Sequence, residues 1–183
     1  MIIGLAGTIG SGKGAVADYL VGKGFVQLVY SDEIVRELER RNLKVTRDNL
    51  QNVGNEMRTK YGRDYWTRCL LKNVMEDNDY VLDGARNPGE LVPLLEREDA
   101  LLIGVDAPFC QRIKRVIERE DLRDGGSVQE VIARLKRDMG FGEDENGQQA
   151  LKCYEMAQVR IYNDKTLKDL IAKIDEVIGD IKC

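Results

Sequence analysis

Ile2-Ile3-Gly4-Leu5-Ala6-Gly7-Thr8-Ile9-Gly10-Ser11-Gly12-Lys13-Gly14 is the stretch on which the reading of this 183-residue chain turns. Residues 2–6 are apolar without alternation, the pattern of a short strand buried on both faces. The next residues carry the spacing Gly-x-x-x-x-Gly-Lys of a phosphate-binding loop, and an amphipathic helix follows at once, which is the context that motif requires. Glycines let consecutive backbone N–H groups converge on phosphate oxygens, the helix N-terminus adds positive potential, and Lys13 reaches the outer phosphates. Gly7, Thr8, Ile9, Gly10, Ser11, Gly12, Lys13, Gly14 and Ala15 are therefore the candidate nucleotide-binding residues. The plainer alternative is a glycine-rich turn with a solvated lysine, and the terminal Gly-Lys in a strand-loop-helix setting speaks against it.

Outward from this loop, short apolar runs at Ile2 to Ala6, Phe25 to Tyr30, Tyr80 to Leu82, Leu101 to Val105 and Val159 to Tyr162 predict five strands. Helical sequence separates each from the next, which describes a parallel sheet covered on both sides. Asn87-Pro88-Gly89-Glu90 places an N-cap, a first-turn proline and a glutamate in helix-starting order, and Ser127-Val128-Gln129-Glu130 and Thr166-Leu167-Lys168-Asp169 have capping-box spacing. These starts predict helices over 88–97, 127–138 and 166–178, and the remaining pattern predicts others over 13–22, 31–41, 47–60, 64–77, 108–120 and 148–156. The excursion 31–77 and the charged, glycine-rich stretch 119–150 interrupt the alternation of strand and helix.

The chain has a formal net charge of -4, which excludes a surface that tracks nucleic-acid phosphates along its whole extent. It has no histidine, and its four cysteines, Cys69, Cys110, Cys153 and Cys183, form no Cys-x-x-Cys pair, which removes most zinc sites, Ser-His-Asp triads and Cys-His dyads. The apolar start is too short for a secretion signal and no run approaches a membrane span, so a cytoplasmic location is expected. Nothing repeats at a fixed period.

The motifs resemble the P-loop small-molecule kinases, in particular dephospho-CoA kinase and the adenylate kinase-like nucleoside monophosphate kinases. Gly12-Lys13-Gly14 matches the adenylate kinases, with Ala15 where they usually carry threonine, so the chain lacks the hydroxyl that commonly ligates magnesium. Val81-Leu82-Asp83-Gly84-Ala85-Arg86 resembles their Asp-Gly-x-Pro-Arg segment, which implies Asp83 for magnesium, through water, and Arg86 for an acceptor phosphate. Tyr30-Ser31-Asp32-Glu33-Ile34-Val35-Arg36 matches the acceptor side, implying Asp32 beside the accepting hydroxyl and Arg36 on an acceptor phosphate; Ser31 or Asp32 as a simple helix N-cap is the alternative. Helix 108–120 resembles the arginine-bearing helix that precedes the lid, which makes Arg112 a nucleotide contact, Arg119 and Arg123 candidates for the transferred phosphoryl group, and Arg115 a spare. Asn163-Asp164-Lys165-Thr166-Leu167 resembles the adenine-packing end of dephospho-CoA kinases, with Lys165 in place of glycine. Arg47, Gln51 and Arg58 lie on helices of the excursion, where a solvated polar face is the alternative to acceptor binding.

The resemblance implies a three-layer P-loop NTPase fold with a five-stranded parallel sheet of order 2-3-1-4-5. One domain is expected, with its core in 1–30, 80–118 and 158–183, an acceptor-binding insert at 31–77 and a lid at 119–150. Its chemistry would be phosphoryl transfer from ATP, with Mg2+, to a small nucleotide-like acceptor, using Lys13, Asp32, Asp83 and Arg119. The partners expected are small nucleotides, not nucleic acid or membrane, in a monomer or small homo-oligomer. A regulatory nucleotide-binding NTPase with no small-molecule acceptor is the alternative; the chain lacks the Asn-Lys-x-Asp guanine motif.

Overall fold

A computed structural model describes residues 1–119 and 127–181, the side chains of Arg47, Arg119, Asp180 and Ile181 aside. Five strands, β1 (Ile2–Ala6), β2 (Val26–Val29), β3 (Tyr80–Asp83), β4 (Ala100–Asp106) and β5 (Val159–Tyr162), form one sheet in the order β2-β3-β1-β4-β5. Every pairing is parallel. The chain thus has the sheet order and strand direction that the sequence implied.

Helices cover both faces because both faces are apolar. Ile3, Leu5, Val81, Ile103 and Val105 pack with Val16, Leu20, Leu170 and Ile174 of α1 (Lys13–Gly22) and α9 (Leu167–Ile181). Ile2, Ala6, Leu82 and Leu102 point the other way, as the two-residue period of a strand demands. They meet α2 (Tyr30–Arg40), α3 (Arg47–Tyr61), α4 (Tyr65–Leu71), α5 (Pro88–Leu95) and α8 (Ala150–Met156). A smaller cluster of Val116, Val131 and Leu135 joins α6 (Phe109–Arg119) to α7 (Val128–Met139).

The capping signals act as read. Asn87 and Glu90 form a complete capping box at α5 with Pro88 in its first turn, and Ser127 and Glu130 form another at α7. At α9, Thr166 Oγ1 accepts the Asp169 N–H while Asp169 Oδ2 accepts the Thr166 N–H. One element is shorter than expected: α4 ends at Leu71, not near 77. Val74 turns back to pack against the core, and the Met75 N–H donates to the Tyr80 hydroxyl at 3.0 Å.

β3 and β4 run one residue beyond the apolar runs, to Asp83 and Asp106. β1 lies between them with Leu5 beside Asp83, so the loop after Ala6 leaves the sheet where the strand order reverses, with a carboxylate on each side. Among the described residues, no helix is long and apolar enough to cross a membrane.

Candidate functional site

The loop between β1 and α1 is held in shape from several directions. Gly7 has φ 134°, and a Cβ there would lie 1.9 Å from the Val105 carbonyl oxygen, so only glycine fits against β4. Gly12 has φ 111°, and a Cβ there would lie 2.6 Å from Asn163 Nδ2. That amide donates to the Ser11 carbonyl at 2.8 Å, and Arg115 donates to the carbonyls of Gly10 and Ser11, each at 3.3 Å. On the other flank the Thr8 hydroxyl donates to Asp106 Oδ1 at 2.6 Å. Within the loop the Ser11 N–H donates to the Thr8 carbonyl at 3.3 Å, and the Ile9 N–H donates to Asp138 Oδ2 at 2.8 Å. Lys13 Nζ folds over the loop to the Thr8 carbonyl at 2.8 Å, and the buried Ser11 hydroxyl has no hydrogen-bond partner. A buried hydroxyl without a protein partner can donate to or accept from a ligand that enters the loop.

The loop opens into a cavity of about 690 Å³. Residues 9–14, Asp83 and Arg86 form one end; Ile34, Gln51, Arg58, Arg134 and Arg137 form walls toward α2, α3 and α7. Its charges are strongly coupled. Burial lowers the pKa of Lys13 and the neighbouring Arg86 lowers it further, while Asp138, Asp83 and Asp106 resist, leaving it at about 8. Burial also works against the charge of Arg86, but Asp138 and Asp83 outweigh it and its pKa lies above the usual value.

Residues 3–133 match the AAA domain family. A UPF0200 protein of Methanothrix thermoacetophila is 31% identical over 184 residues, covering 98% of this chain and 97% of that protein. The chain belongs to the AAA domain family and to the UPF0200 proteins. Among solved structures, TT1252 from Thermus thermophilus superposes with a TM-score of 0.60 at 22% identity, covering 98% of this chain and 97% of that one. Shikimate kinase from Acinetobacter baumannii, in complex with shikimate, gives 0.56 at 16% identity, covering 99% and 94%. At such identities the likeness is one of fold, and that fold is the P-loop kinase-like one.

In this UPF0200 chain the sequence-derived residues divide by where the structure puts them. The loop residues, Asp83 and Arg86 meet in the cavity. Asp32 and Arg36 do not line it. No loop follows β2: the chain passes from Val29 directly into α2, so Tyr30, Ile34 and Leu38, one turn apart, face inward. Asp32 and Arg36 stand on the exposed face, and Arg36 pairs with Glu33. Arg112 is buried behind the loop, outside the cavity lining, with Nε 3.6 Å from Asp106 Oδ1 and with Nε and Nη1 lacking hydrogen-bond partners. Arg115, read as spare, braces the loop instead. Asn163 does the same from β5. The Arg119 side chain and Arg123 lie outside the described residues.

Sequence reasoning missed part of the UPF0200 site. Asp138 on α7 has a fully buried carboxylate that pairs with Arg86 and accepts the Ile9 N–H at 2.8 Å. Arg134 and Arg137, on the same helix, line the cavity. Arg58 is a buried strut more than a solvated side chain: it donates to Glu90 at 2.8 Å, to Asn55 at 2.6 Å and to the Asn146 carbonyl at 2.7 Å. Arg134 and Asp138 stand four residues apart on α7, a spacing common on solvated helix faces, so the sequence carried no distinguishing signal for them.

Proposed function

We propose that the chain is a P-loop kinase that transfers the terminal phosphoryl group of ATP to a small nucleotide-like acceptor, dephospho-CoA or a nucleoside monophosphate in type. The observation that carries this reading is that the phosphate-binding loop forms one end of a cavity of about 690 Å³ whose walls continue past it to α2, α3 and α7. A regulatory nucleotide binder needs the loop but not walls that extend beyond it. The fold likeness to a shikimate kinase supports the same reading.

A glycine-rich loop at the N-terminus of α1, Lys13 on the cavity lining and the unpartnered Ser11 hydroxyl suit phosphate oxygens, so the residues present fit a triphosphate tail. Among the described residues no three cysteine or carboxylate side chains gather as a metal nest. Magnesium commonly uses one or two protein carboxylates plus phosphates and water, and Asp83, on the cavity wall, suits that mode. When bound, the ion neutralises charge across the outer phosphates and orients them.

The chain's own groups then have separate tasks. In this reading the loop amides fix the phosphates at the end of β1, and Lys13, which now donates to the Thr8 carbonyl, turns to the outer phosphates and offsets the charge that develops on the transferred group. Arg86 adds a second cation from the β3 side. The insert 31–77, through Ile34 and Gln51, and α7 of the 119–150 lid, through Arg134 and Arg137, orient the acceptor and exclude water. Transfer of this kind depends on positioning and charge more than on covalent chemistry, which is why a chain without histidine suffices.

The test is ADP release from Mg-ATP measured against dephospho-CoA and a panel of nucleoside monophosphates. One acceptor should raise the rate well above the background hydrolysis. Slow hydrolysis indifferent to every acceptor would favour the regulatory NTPase instead.

A further inference from the structure

Asp138 has no part in the transfer scheme above, yet it is bound by the groups that scheme assigns to the outer phosphates. One oxygen takes a loop amide, that of Ile9, at 2.8 Å, and the other takes the Arg86 guanidinium. Its charge also acts on the Lys13 ammonium. A main-chain amide and a guanidinium on one anion, with the Lys13 ammonium bent over the same loop, are donors of the kind a phosphate site uses, here filled by a carboxylate of the chain itself.

We propose that Asp138 is an internal stand-in for the terminal phosphate, which must displace it from Arg86 and the Ile9 amide, so that Asp138 sets the preference between nucleoside di- and triphosphates. The inference rests on the cradle being a nucleotide site. Two anions cannot share one set of buried donors without strong repulsion, whereas a diphosphate stops one phosphate short and leaves the carboxylate in place. Asp138 lies in the last turn of α7, which ends at Gly140 with φ 110°, so its displacement shifts the end of that helix. After transfer the vacated donors return to Asp138, which opposes rebinding of a triphosphate and leaves the hold on the diphosphate unchanged. A carboxylate that merely fastened α7 to the loop would affect both nucleotides alike.

The experiment is calorimetry of the full chain, wild type and Asp138→Asn, with the magnesium complexes of ADP and a non-hydrolysable ATP analogue. The asparagine variant should bind the triphosphate at least about tenfold more tightly while ADP affinity moves less than about threefold. An unchanged ratio between the two nucleotides, or a weaker triphosphate, overturns the inference. Should the variant fail to fold, hydrogen exchange of the wild type decides: amides of residues 135–139 should exchange faster with the triphosphate analogue than with ADP, and identical patterns count against Asp138. Wild-type chain that binds neither nucleotide removes the cradle reading and this inference together, whereas binding of both with an equal response removes this inference alone.

Discussion

Lys13 carries its charge where burial makes that charge costly, and the cost is measurable. Its folded-state pKa of about 8 lies below the ordinary 10.5, so between those values the unfolded chain holds more protons than the folded one. Stability therefore rises as pH climbs from about 8 toward 10.5, and below pH 8 the buried ammonium costs on the order of 3 kcal/mol. Lys13→Met should gain about 1–3 kcal/mol in urea unfolding at pH 7 and lose turnover by at least about 100-fold. By the same titration, the wild-type chain's affinity for the nucleotide, measured by calorimetry, should weaken from pH 7 to pH 9.5 as Lys13 loses its proton. Ser11→Ala separates the two roles in another way. Its hydroxyl has no partner to lose, so unfolding should shift by less than about 1 kcal/mol, while triphosphate affinity falls. Lys13 was legible because its spacing from Gly7 is a motif. Asp138 was not, since Lys136-Arg137-Asp138 reads like any solvated helix face, and only the docking of α7 on the loop buries it.

At the scale of elements, most of the architecture could be read from the chain, and the exceptions have one cause. Caps fixed the starts of α5, α7 and α9 through local hydrogen bonds that the sequence spells out. The phase of α2 depended on where β2 stopped: the apolar run predicts strand through Tyr30 and helix from residue 31, whereas β2 ends at Val29 and Tyr30 is already helical. A one-residue difference in that junction rotates a helix by roughly 100°, enough to turn Asp32 and Arg36 from the cavity to the solvent. Asp32→Asn and Arg36→Ala should therefore leave kcat and both KM values within about twofold, whereas Gln51→Ala and Arg137→Ala should raise the acceptor KM and spare that of ATP. Steady-state kinetics with each substrate varied in turn distinguishes the two faces. Arg58 and Glu90 form a different kind of joint: their side chains are only 3% and 2% exposed, and Glu90 also accepts the N–H groups of Arg86 and Asn87. Removing one partner leaves an uncompensated charge between α3 and α5, and Arg58→Ala should cost about 3–5 kcal/mol in chemical denaturation.

For the molecule as a whole, the sheet order sets one rigid end and one adaptable end of a single cavity. The loop is clamped between β3 and β4 by contacts that tolerate no added atom, such as Gly7 against Val105, while the far walls come from α2, α3 and α7, which lie outside the sheet. Two ligands placed in such a cavity share walls, so each should stabilise the folded chain and the pair should do so by more than either alone. A ligand at 100 times its Kd adds about 2.7 kcal/mol, and for a chain of this size each 1 kcal/mol raises Tm by about 2–4 °C. A non-hydrolysable ATP analogue with magnesium should thus raise Tm by roughly 5–10 °C at that excess. The true acceptor should give a larger rise with the nucleotide present than without it, because the bound nucleotide completes the wall against which the acceptor rests. A thermal-shift series of dephospho-CoA and nucleoside monophosphates, each with and without the analogue, reads this directly and needs no turnover. A nucleotide-dependent rise with no increment from any acceptor would mark the far end of the cavity as something other than an acceptor site, and the kinase reading would give way to the regulatory one.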